Sequence, residues 1–173
     1  LLGFIVLAAL VARMLLDMRS QTFAARAIAY SAGVAIDRAT RETDPATKAA
    51  ASAREALLIP IIKSYGSDIG VEVASTGVQV HGGMGYIEET GAAQFLRDAR
   101  IVPIYEGTNG IQAIDLVGRK VVRDGGAAAC ALIAELTAIA SNAKGQPQLA
   151  QAPAQLDWAL ECLTQTTDWL LDA

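Results

Sequence analysis

The 173-residue sequence is poor in aromatic residues, histidine and cysteine. These shortages argue against an aromatic interior and against a metal site. Aromatic residues make up only 5% of the chain, so Ala, Leu, Ile and Val must fill most of the interior. Cys130 and Cys162 are far apart in the sequence and form no metal-ligand pair, and only one histidine is present. We therefore expect no metal site, and we interpret the cysteines as reduced residues of an intracellular protein.

The sequence also lacks an excess of basic residues and a long uninterrupted apolar run. Its formal net charge is -4, with 14 basic residues scattered among 18 acidic ones, which argues against nucleic-acid binding. The apolar opening, LLGFIVLAALVARMLL, is cut short by Arg13, whereas a membrane helix needs about 20 such residues. A signal peptide would show a basic start and a small-residue cleavage site, and this segment has neither. We expect a buried helix in a piece of a longer cytoplasmic protein, with no membrane partner.

The pattern of apolar residues predicts helices and no strands. Hydrophobic residues make up 53% of the sequence, and no segment alternates convincingly. Helices are predicted for Phe4–Ala39, Ala46–Val80, Gly91–Ala99, Asn109–Val122, Ala127–Ala143 and Ala154–Leu171. Pro60 is expected to start or kink part of the second helix. Three glycines in that helix are expected to permit close packing against neighbours: Gly66, Gly70 and Gly77. The predicted fold is all-α, an antiparallel helical bundle.

The stretch QVHGGMG, Gln79–Gly85, interrupts the helices with three glycines. Consecutive glycines let backbone N–H groups approach a ligand closely, phosphate oxygens in particular. The spacing matches neither the dinucleotide fingerprint nor the phosphate loop, and no strand precedes it. A glycine-rich helix C-cap is the alternative, and His81 beside it is interpreted as a hydrogen-bonded structural residue.

A second break, PIYEGTNGIQ, places the carboxylate of Glu106 between Tyr105 and Gly107. One interpretation is a capped turn between two helices, with a solvated glutamate. The other is a catalytic base, because a carboxylate beside an aromatic ring and under an apolar ligand becomes a stronger base through desolvation. Thr108 or Asn109 can cap the helix that follows, whose free N–H groups suit an anionic ligand.

Taken in order, QVHGGMGYIEE and then FLRDARIVPIYEGTNGIQ, following a long alanine-rich helix, closely resemble the acyl-CoA dehydrogenase family. The resemblance covers roughly Met14 to Val122 and corresponds to the family's carboxy-terminal helical domain. The tail, Gly125 to Ala173, resembles the extra helical segment of a larger subgroup that includes the methylmercaptopropionyl-CoA dehydrogenases. The resemblance therefore implies a bundle domain over residues 1–124 and additional C-terminal helices over residues 125–173.

The resemblance implies an enzyme that binds FAD and desaturates an acyl-CoA thioester between its α and β carbons. Glu106 falls on the position of the catalytic base, and Tyr105 and Gly107 would flank the thioester. The residues that match flavin contacts are Gln79, Gly82, Gly83 and Thr108. The family also implies a homo-oligomer, dimer or tetramer, and an electron-transfer flavoprotein as electron acceptor.

Two alternatives to this enzyme stay open. One is another flavoenzyme of the same fold, such as an acyl-CoA oxidase-like enzyme, although such lineages commonly alter the base loop. The other is a helical interaction or scaffold module with a vestigial flavin site. For the acyl-CoA dehydrogenase that the resemblance implies, the isolated chain is expected to be catalytically inactive, because in relatives two preceding domains help to hold flavin and substrate.

Overall fold

The structure, a computed structural model, describes residues 2–149 and 151–172, and every regular element in this part is helical. The helices are α1 (Leu2–Arg41), α2 (Pro45–Val80), α3 (Gly83–Tyr86), α4 (Ala92–Ile101), α5 (Asn109–Ile114), α6 (Ala127–Ala143) and α7 (Ala152–Asp172). A π-helix, Asp115–Val122, continues α5, and 3-10 turns cover Glu88–Thr90 and Pro147–Leu149. The predicted all-α bundle is confirmed, and each predicted helix is present with ends within two residues of those expected.

The turn between α1 and α2 is fixed by Asp44, which caps α2. Its carboxylate Oδ2 accepts a hydrogen bond from the Thr47 hydroxyl at 2.6 Å and another from the Thr47 backbone N–H at 2.8 Å. Both bonds stabilise the ionised carboxylate and so hold the pKa of Asp44 below its usual value. The bond from the Thr47 hydroxyl has the larger effect, and the bond from the Thr47 N–H has the next largest. The predicted restart of the helix after Asp44 is therefore explained by an N-cap.

The chain divides into two compact units. The first comprises Leu58–Ala113 and the described part of Leu1–Val34, and the second comprises Ala35–Leu57 with the described part of Ile114–Ala173. The two units are defined by contacts within the chain and do not test the predicted domain boundary at residue 124, which stays a prediction. Gly125 and Gly126, just after that position, have φ values of 65° and 78°, and the Gly126 N–H donates to the Val121 carbonyl at 2.9 Å. Glycines of this kind end a helix.

In the first unit, the described part of α1 up to Val34 packs against the part of α2 that begins at Leu58. Small residues let these helices approach: the Met18 Cε lies 3.7 Å from the position that a Cβ at Gly77 would take. Alanine and leucine fill the interior, as the shortage of aromatic residues predicts, with Ala32 and Leu58 4% and 5% exposed. Ala92 of α4 is buried in the same unit.

In the second unit, α6 and α7 pack against each other with Ile133, Ala140 and Leu160 as their buried core. A Cβ at Gly126, which precedes α6, would lie 2.7 Å from Cδ1 of Leu171, near the end of α7. The start of one helix therefore meets the end of the other, and the pair is antiparallel.

Two details of α2 differ from expectation. The helix is continuous from Pro45 to Val80 and does not restart at Pro60, which is fully buried, while a kink at Pro60 stays a prediction. Gly77 packs closely against α1 as predicted, but the space around Gly66 and Gly70 is open among the described residues of this chain. The expectation of close packing at these two glycines is therefore wrong within the chain.

No single helix among the described residues is long and apolar enough to cross a membrane. Asn109–Val122 and Ala127–Ala143 pass that test only as a bent pair, on length and composition alone, which is weak evidence for a span.

Candidate functional site

The loop between α4 and α5 carries four of the predicted site residues. Its backbone is tightly turned: the N–H groups of Ile104 and Tyr105 both donate to the Ile101 carbonyl, at 3.0 and 3.1 Å. The Asn109 N–H donates across the loop to the Pro103 carbonyl at 3.2 Å. The structure therefore places Tyr105, Glu106, Gly107 and Thr108 in one closed turn.

Glu106 is exposed in this chain and has an unusual backbone conformation. Its φ is 52°, and it is the one non-glycine residue with positive φ in the described part of the chain. An L-residue in the left-handed region costs about 1–2 kcal/mol, and such strain clusters at functional sites. The conformation of Glu106 therefore distinguishes this glutamate from an ordinary surface residue.

Gly107 is required by the fold of the same loop. Its φ is 86°, and an added Cβ would lie 2.9 Å from the Gln112 side-chain nitrogen. Two consecutive residues with positive φ turn the chain sharply after Tyr105, whose side chain is 47% exposed. Thr108 then caps α5, because its hydroxyl oxygen accepts a hydrogen bond from the Ile111 N–H at 3.4 Å.

The strain at Glu106 predicts an inverted order of stability for two substitutions. In the full-length protein, Glu106→Gly is expected to unfold at a higher temperature than Glu106→Ala, with a difference of about 1 kcal/mol, because only glycine relieves the positive φ. Thermal unfolding followed by circular dichroism measures the order. Glu72, exposed in the interior of α2, is the matched control, and there glycine is expected to be less stable than alanine by about 1 kcal/mol. The same order at both positions would show that Glu106 is unstrained.

Asn109, which sequence reasoning considered only as a possible cap, anchors the loop to α2. Its side-chain amide donates to the Asp68 carboxylate at 2.7 Å and to the Ser67 hydroxyl at 3.0 Å. Its amide oxygen accepts from the Lys63 ammonium at 3.3 Å. Lys63 also donates to the Val102 carbonyl, at 2.8 Å, so it reaches the start of the loop as well. We call Lys63, Ser67, Asp68 and Asn109 the loop clamp.

The glycine turn, by which we mean Gln79–Gly85, lies at the C-terminal end of α2. Gly82 has a φ of 61° and a ψ of -143°, and its N–H donates to the Gln79 carbonyl at 3.1 Å. The glycines therefore follow the end of α2, but Gly82 does not have the left-handed helical conformation of a glycine C-cap. The His81 ring nitrogen Nδ1 donates to the Gly77 carbonyl at 2.8 Å, as expected of a structural histidine. Gly83 has no positive φ and open space where a Cβ would stand, so nothing in the described part of the chain explains why it is glycine.

Two cavities open beside this turn within the first unit. The first has a volume of about 430 Å³ and lies among Met18, Gly77, His81 and Phe95. The second has a volume of about 650 Å³, and two arginines, Arg97 and Arg100, lie among its lining residues. Arg97 pairs with Glu88, which precedes α4 in the 3-10 turn, at 3.0 Å.

The two sets of predicted site residues lie at different levels of α2. The loop with Glu106 is anchored at Lys63 and Asp68, whereas Gln79 follows Asp68 by 11 residues, or about 16 Å along a helix. Their shared helix therefore separates the sets, and nothing in the described contacts joins them into one pocket. Among the described residues, no group of three His, Cys, Asp or Glu is placed to hold a metal ion.

Comparison with known proteins assigns this arrangement to a family. The profile described as "Acyl-CoA dehydrogenase, C-terminal domain" matches residues 3–121, well over half of the chain. The chain belongs to the acyl-CoA dehydrogenase family. The matched segment contains the glycine turn, the loop clamp and Glu106, so both sets of candidate residues lie inside the acyl-CoA dehydrogenase domain.

Individual relatives agree with this assignment. A 3-methylmercaptopropionyl-CoA dehydrogenase of Ruegeria pomeroyi is 57% identical over 116 residues, covering 67% of this chain and 20% of that protein. A butyryl-CoA dehydrogenase of Syntrophomonas wolfei is 32% identical over 158 residues, covering 91% and 26%. A broad-specificity linear acyl-CoA dehydrogenase of Mycobacterium tuberculosis is 34% identical over 104 residues, covering 60% and 17%.

The aligned lengths show how much of each relative this chain covers and how far the similarity extends along it. The chain spans only about a fifth to a quarter of the first two acyl-CoA dehydrogenases that it matches. The 158 residues aligned with the butyryl-CoA dehydrogenase exceed the 124 residues that precede Gly125, so that similarity extends into the C-terminal segment.

Proposed function

We propose that the chain is the C-terminal domain of an FAD-dependent acyl-CoA dehydrogenase that desaturates acyl-CoA thioesters at the α,β position, with Glu106 as the catalytic base. The observation that supports this base most directly is its backbone. A carboxylate is kept at φ 52° on an exposed loop, where glycine would relieve the strain. Strain of this kind persists where function requires the side chain.

The proposed reaction removes two hydrogens from the acyl chain. The Glu106 carboxylate accepts the α proton while the carbon–carbon double bond forms and a hydride leaves the β carbon. FAD, when bound, supplies the acceptor for that hydride. The α proton is weakly acidic, and a positioned base contributes about 10²–10⁴ in rate. Orientation of the thioester against the base must supply much of the rest.

The loop geometry is compatible with the proposed substrate roles of Tyr105 and Gly107. The Tyr105 ring is half exposed and directly precedes the base, so it is available to flank a bound thioester. Gly107 directly follows the base, and its positive φ strains any residue that has a side chain. The base thus stands between a ring and a residue without a side chain, which keeps its approach open.

The residues proposed to hold FAD fit a cofactor that lies against the backbone. The glycine turn has open space at Gly82 and Gly83, and a Cβ at Gly83 would take the place of an approaching ligand rather than clash with this chain. Gln79 is exposed beside it, and Thr108 is exposed next to the base. As the family resemblance implies, we propose that the glycine turn contacts the adenosine-diphosphate half of a flavin that is bound mainly by a neighbouring subunit.

An exposed apolar face on α1 supports assembly with other parts of the protein or with other subunits. Leu16, Phe23 and Tyr30 follow one another at seven-residue spacing and therefore share a helix face. Their side chains are 66%, 74% and 72% exposed in this chain. We propose a homo-oligomer, dimer or tetramer, in the cytoplasm, that passes its electrons to an electron-transfer flavoprotein.

Flavin content and substrate-dependent bleaching test the proposed function. The purified full-length protein is expected to carry about one FAD per chain, and addition of an acyl-CoA without oxygen is expected to bleach its visible absorption. Repetition in air distinguishes a dehydrogenase, which reoxidises slowly, from an oxidase, which turns over and releases peroxide. A protein without flavin, or with flavin that no acyl-CoA bleaches, would instead be a scaffold with a vestigial site.

A further inference from the structure

We propose that Asn109 is a positioning residue that holds the Glu106 loop in its reactive geometry through the loop clamp. The inference rests on the proposed function and deepens it, because it assigns a role to a residue outside the predicted site. Asn109 acts through the backbone of the loop.

The two ends of the Asn109 amide are matched to opposite charges. Its oxygen faces the Lys63 ammonium at 3.3 Å, and its nitrogen faces the Asp68 carboxylate at 2.7 Å. An inverted amide would set an N–H group against a cation and an oxygen against a carboxylate, so only one orientation is favourable. The Ser67 hydroxyl, buried against the same amide, closes the arrangement at 3.0 Å.

The clamp holds the loop on both sides of the base. Lys63 binds the Val102 carbonyl, four residues before Glu106, and the Asn109 side chain, three residues after it. The Asn109 N–H also closes the loop onto the Pro103 carbonyl at 3.2 Å. The Lys63 ammonium therefore holds the segment that carries the strained φ of Glu106 at both of its ends.

Polar contacts have to hold this loop because apolar packing does not. The side chains of Ile104 and Tyr105 are 55% and 47% exposed, and Glu106 is exposed between them and Thr108. A loop held at a strained φ relaxes unless its ends are fixed. A displacement of about 1 Å at a reacting group can cost 10²-fold in rate, so loss of the clamp is expected to affect chemistry before it affects folding.

A charge swap in the full-length flavoprotein tests the clamp. Asn109→Asp sets a carboxylate against Asp68 and is expected to slow single-turnover flavin bleaching about 10–100-fold. Adding Asp68→Asn restores a hydrogen bond between residues 68 and 109, in which the amide at 68 now donates and the carboxylate at 109 accepts. The double variant is therefore expected to recover to within about threefold of the parent. Asn142→Asp, on the exposed surface of α6, is the matched control and is expected to leave the rate unchanged.

Two further readouts separate positioning from a general loss of structure. Hydrogen–deuterium exchange of amides 104–108 is expected to accelerate in Asn109→Asp and to return to the parent rate in the double variant. Flavin content, acyl-CoA affinity and the midpoint of thermal unfolding are expected to change little in all three variants. A rate loss that comes with flavin loss and that Asp68→Asn does not rescue would overturn the inference.

The outcome also distinguishes this inference from the proposed function beneath it. If Glu106→Gln abolishes bleaching and Asn109→Asp leaves it unchanged, Glu106 keeps its role and Asn109 loses the one proposed here. If Glu106→Gln itself bleaches at the parent rate, the proposed base is wrong, and the clamp has no base to position.

Discussion

Glu106→Gln in the full-length protein is expected to abolish dehydrogenation of acyl-CoA while flavin content stays at that of the parent. Glutamine has the size and hydrogen-bonding shape of glutamate but cannot accept a proton, so the geometry of the loop is retained and the chemistry is lost. A positioned general base contributes about 10²–10⁴ in rate, and the fall in single-turnover bleaching should be at least of that order. Stopped-flow absorption of the bound flavin measures it.

Glu72→Gln is the matched control for this substitution, because Glu72 is also an exposed glutamate of the first unit but lies in the interior of α2. It is expected to bleach like the parent. If Glu106→Gln retained substantial turnover, another group would have to remove the α proton, and the loop would have only a structural role.

The 173-residue chain, produced by itself, is expected to bind no FAD tightly and to show no turnover. It spans about a fifth to a quarter of the first two acyl-CoA dehydrogenases described above. The residues proposed for flavin contact lie on open surface at two levels of α2, with no enclosure among the described residues of one chain. Such surfaces supply individual contacts but little burial of a large cofactor.

Titration of the isolated chain with FAD, followed by flavin fluorescence and anisotropy, measures this expectation directly. The full-length protein, stripped of flavin and titrated in the same buffer, is the control. Circular dichroism of the chain must show its helices, so that absence of binding is not absence of folding. A tight yellow complex of the isolated chain would mean that this domain alone builds the cofactor site.

The helices of the fold could be predicted because their signals are local. Asp44 is followed by Pro45 and by Thr47, and this short stretch alone contains the N-cap that the structure displays. The glycines at 125 and 126 likewise end a helix by their own conformational freedom. The π-helix over Asp115–Val122 was not predicted, because its extra residue per turn leaves no mark in an apolar pattern of this length.

The surroundings of the proposed base were harder to predict because they join distant parts of the chain. Asn109 meets Asp68 across 41 residues, and no local pattern pairs them. A signal did exist in the run IIKSYGSDIG, where Lys63, Ser64, Ser67 and Asp68 place polar groups on an otherwise apolar helix. Polar residues that recur in such a helix need partners, and the loop supplied them.

The backbone of Glu106 could not be predicted from residue type. Glutamate has no preference for positive φ, so the sequence suggests that the turn is made by Gly107 alone, whereas both residues adopt it. For Gly66 and Gly70, the sequence indicated packing but not its partner. Their open surroundings mean that contacts among the described residues do not account for them.

Exchange of the α proton tests the role of Glu106 most directly, because it isolates proton removal from oxidation. The substrate is an acyl-CoA with sulfur in place of the β methylene, which has α protons but no β hydride to lose. In deuterated water, the full-length protein is expected to incorporate deuterium at the α carbon, as measured by mass spectrometry, and Glu106→Gln is expected not to. Equal incorporation by both proteins would contradict the assignment of Glu106 as the base.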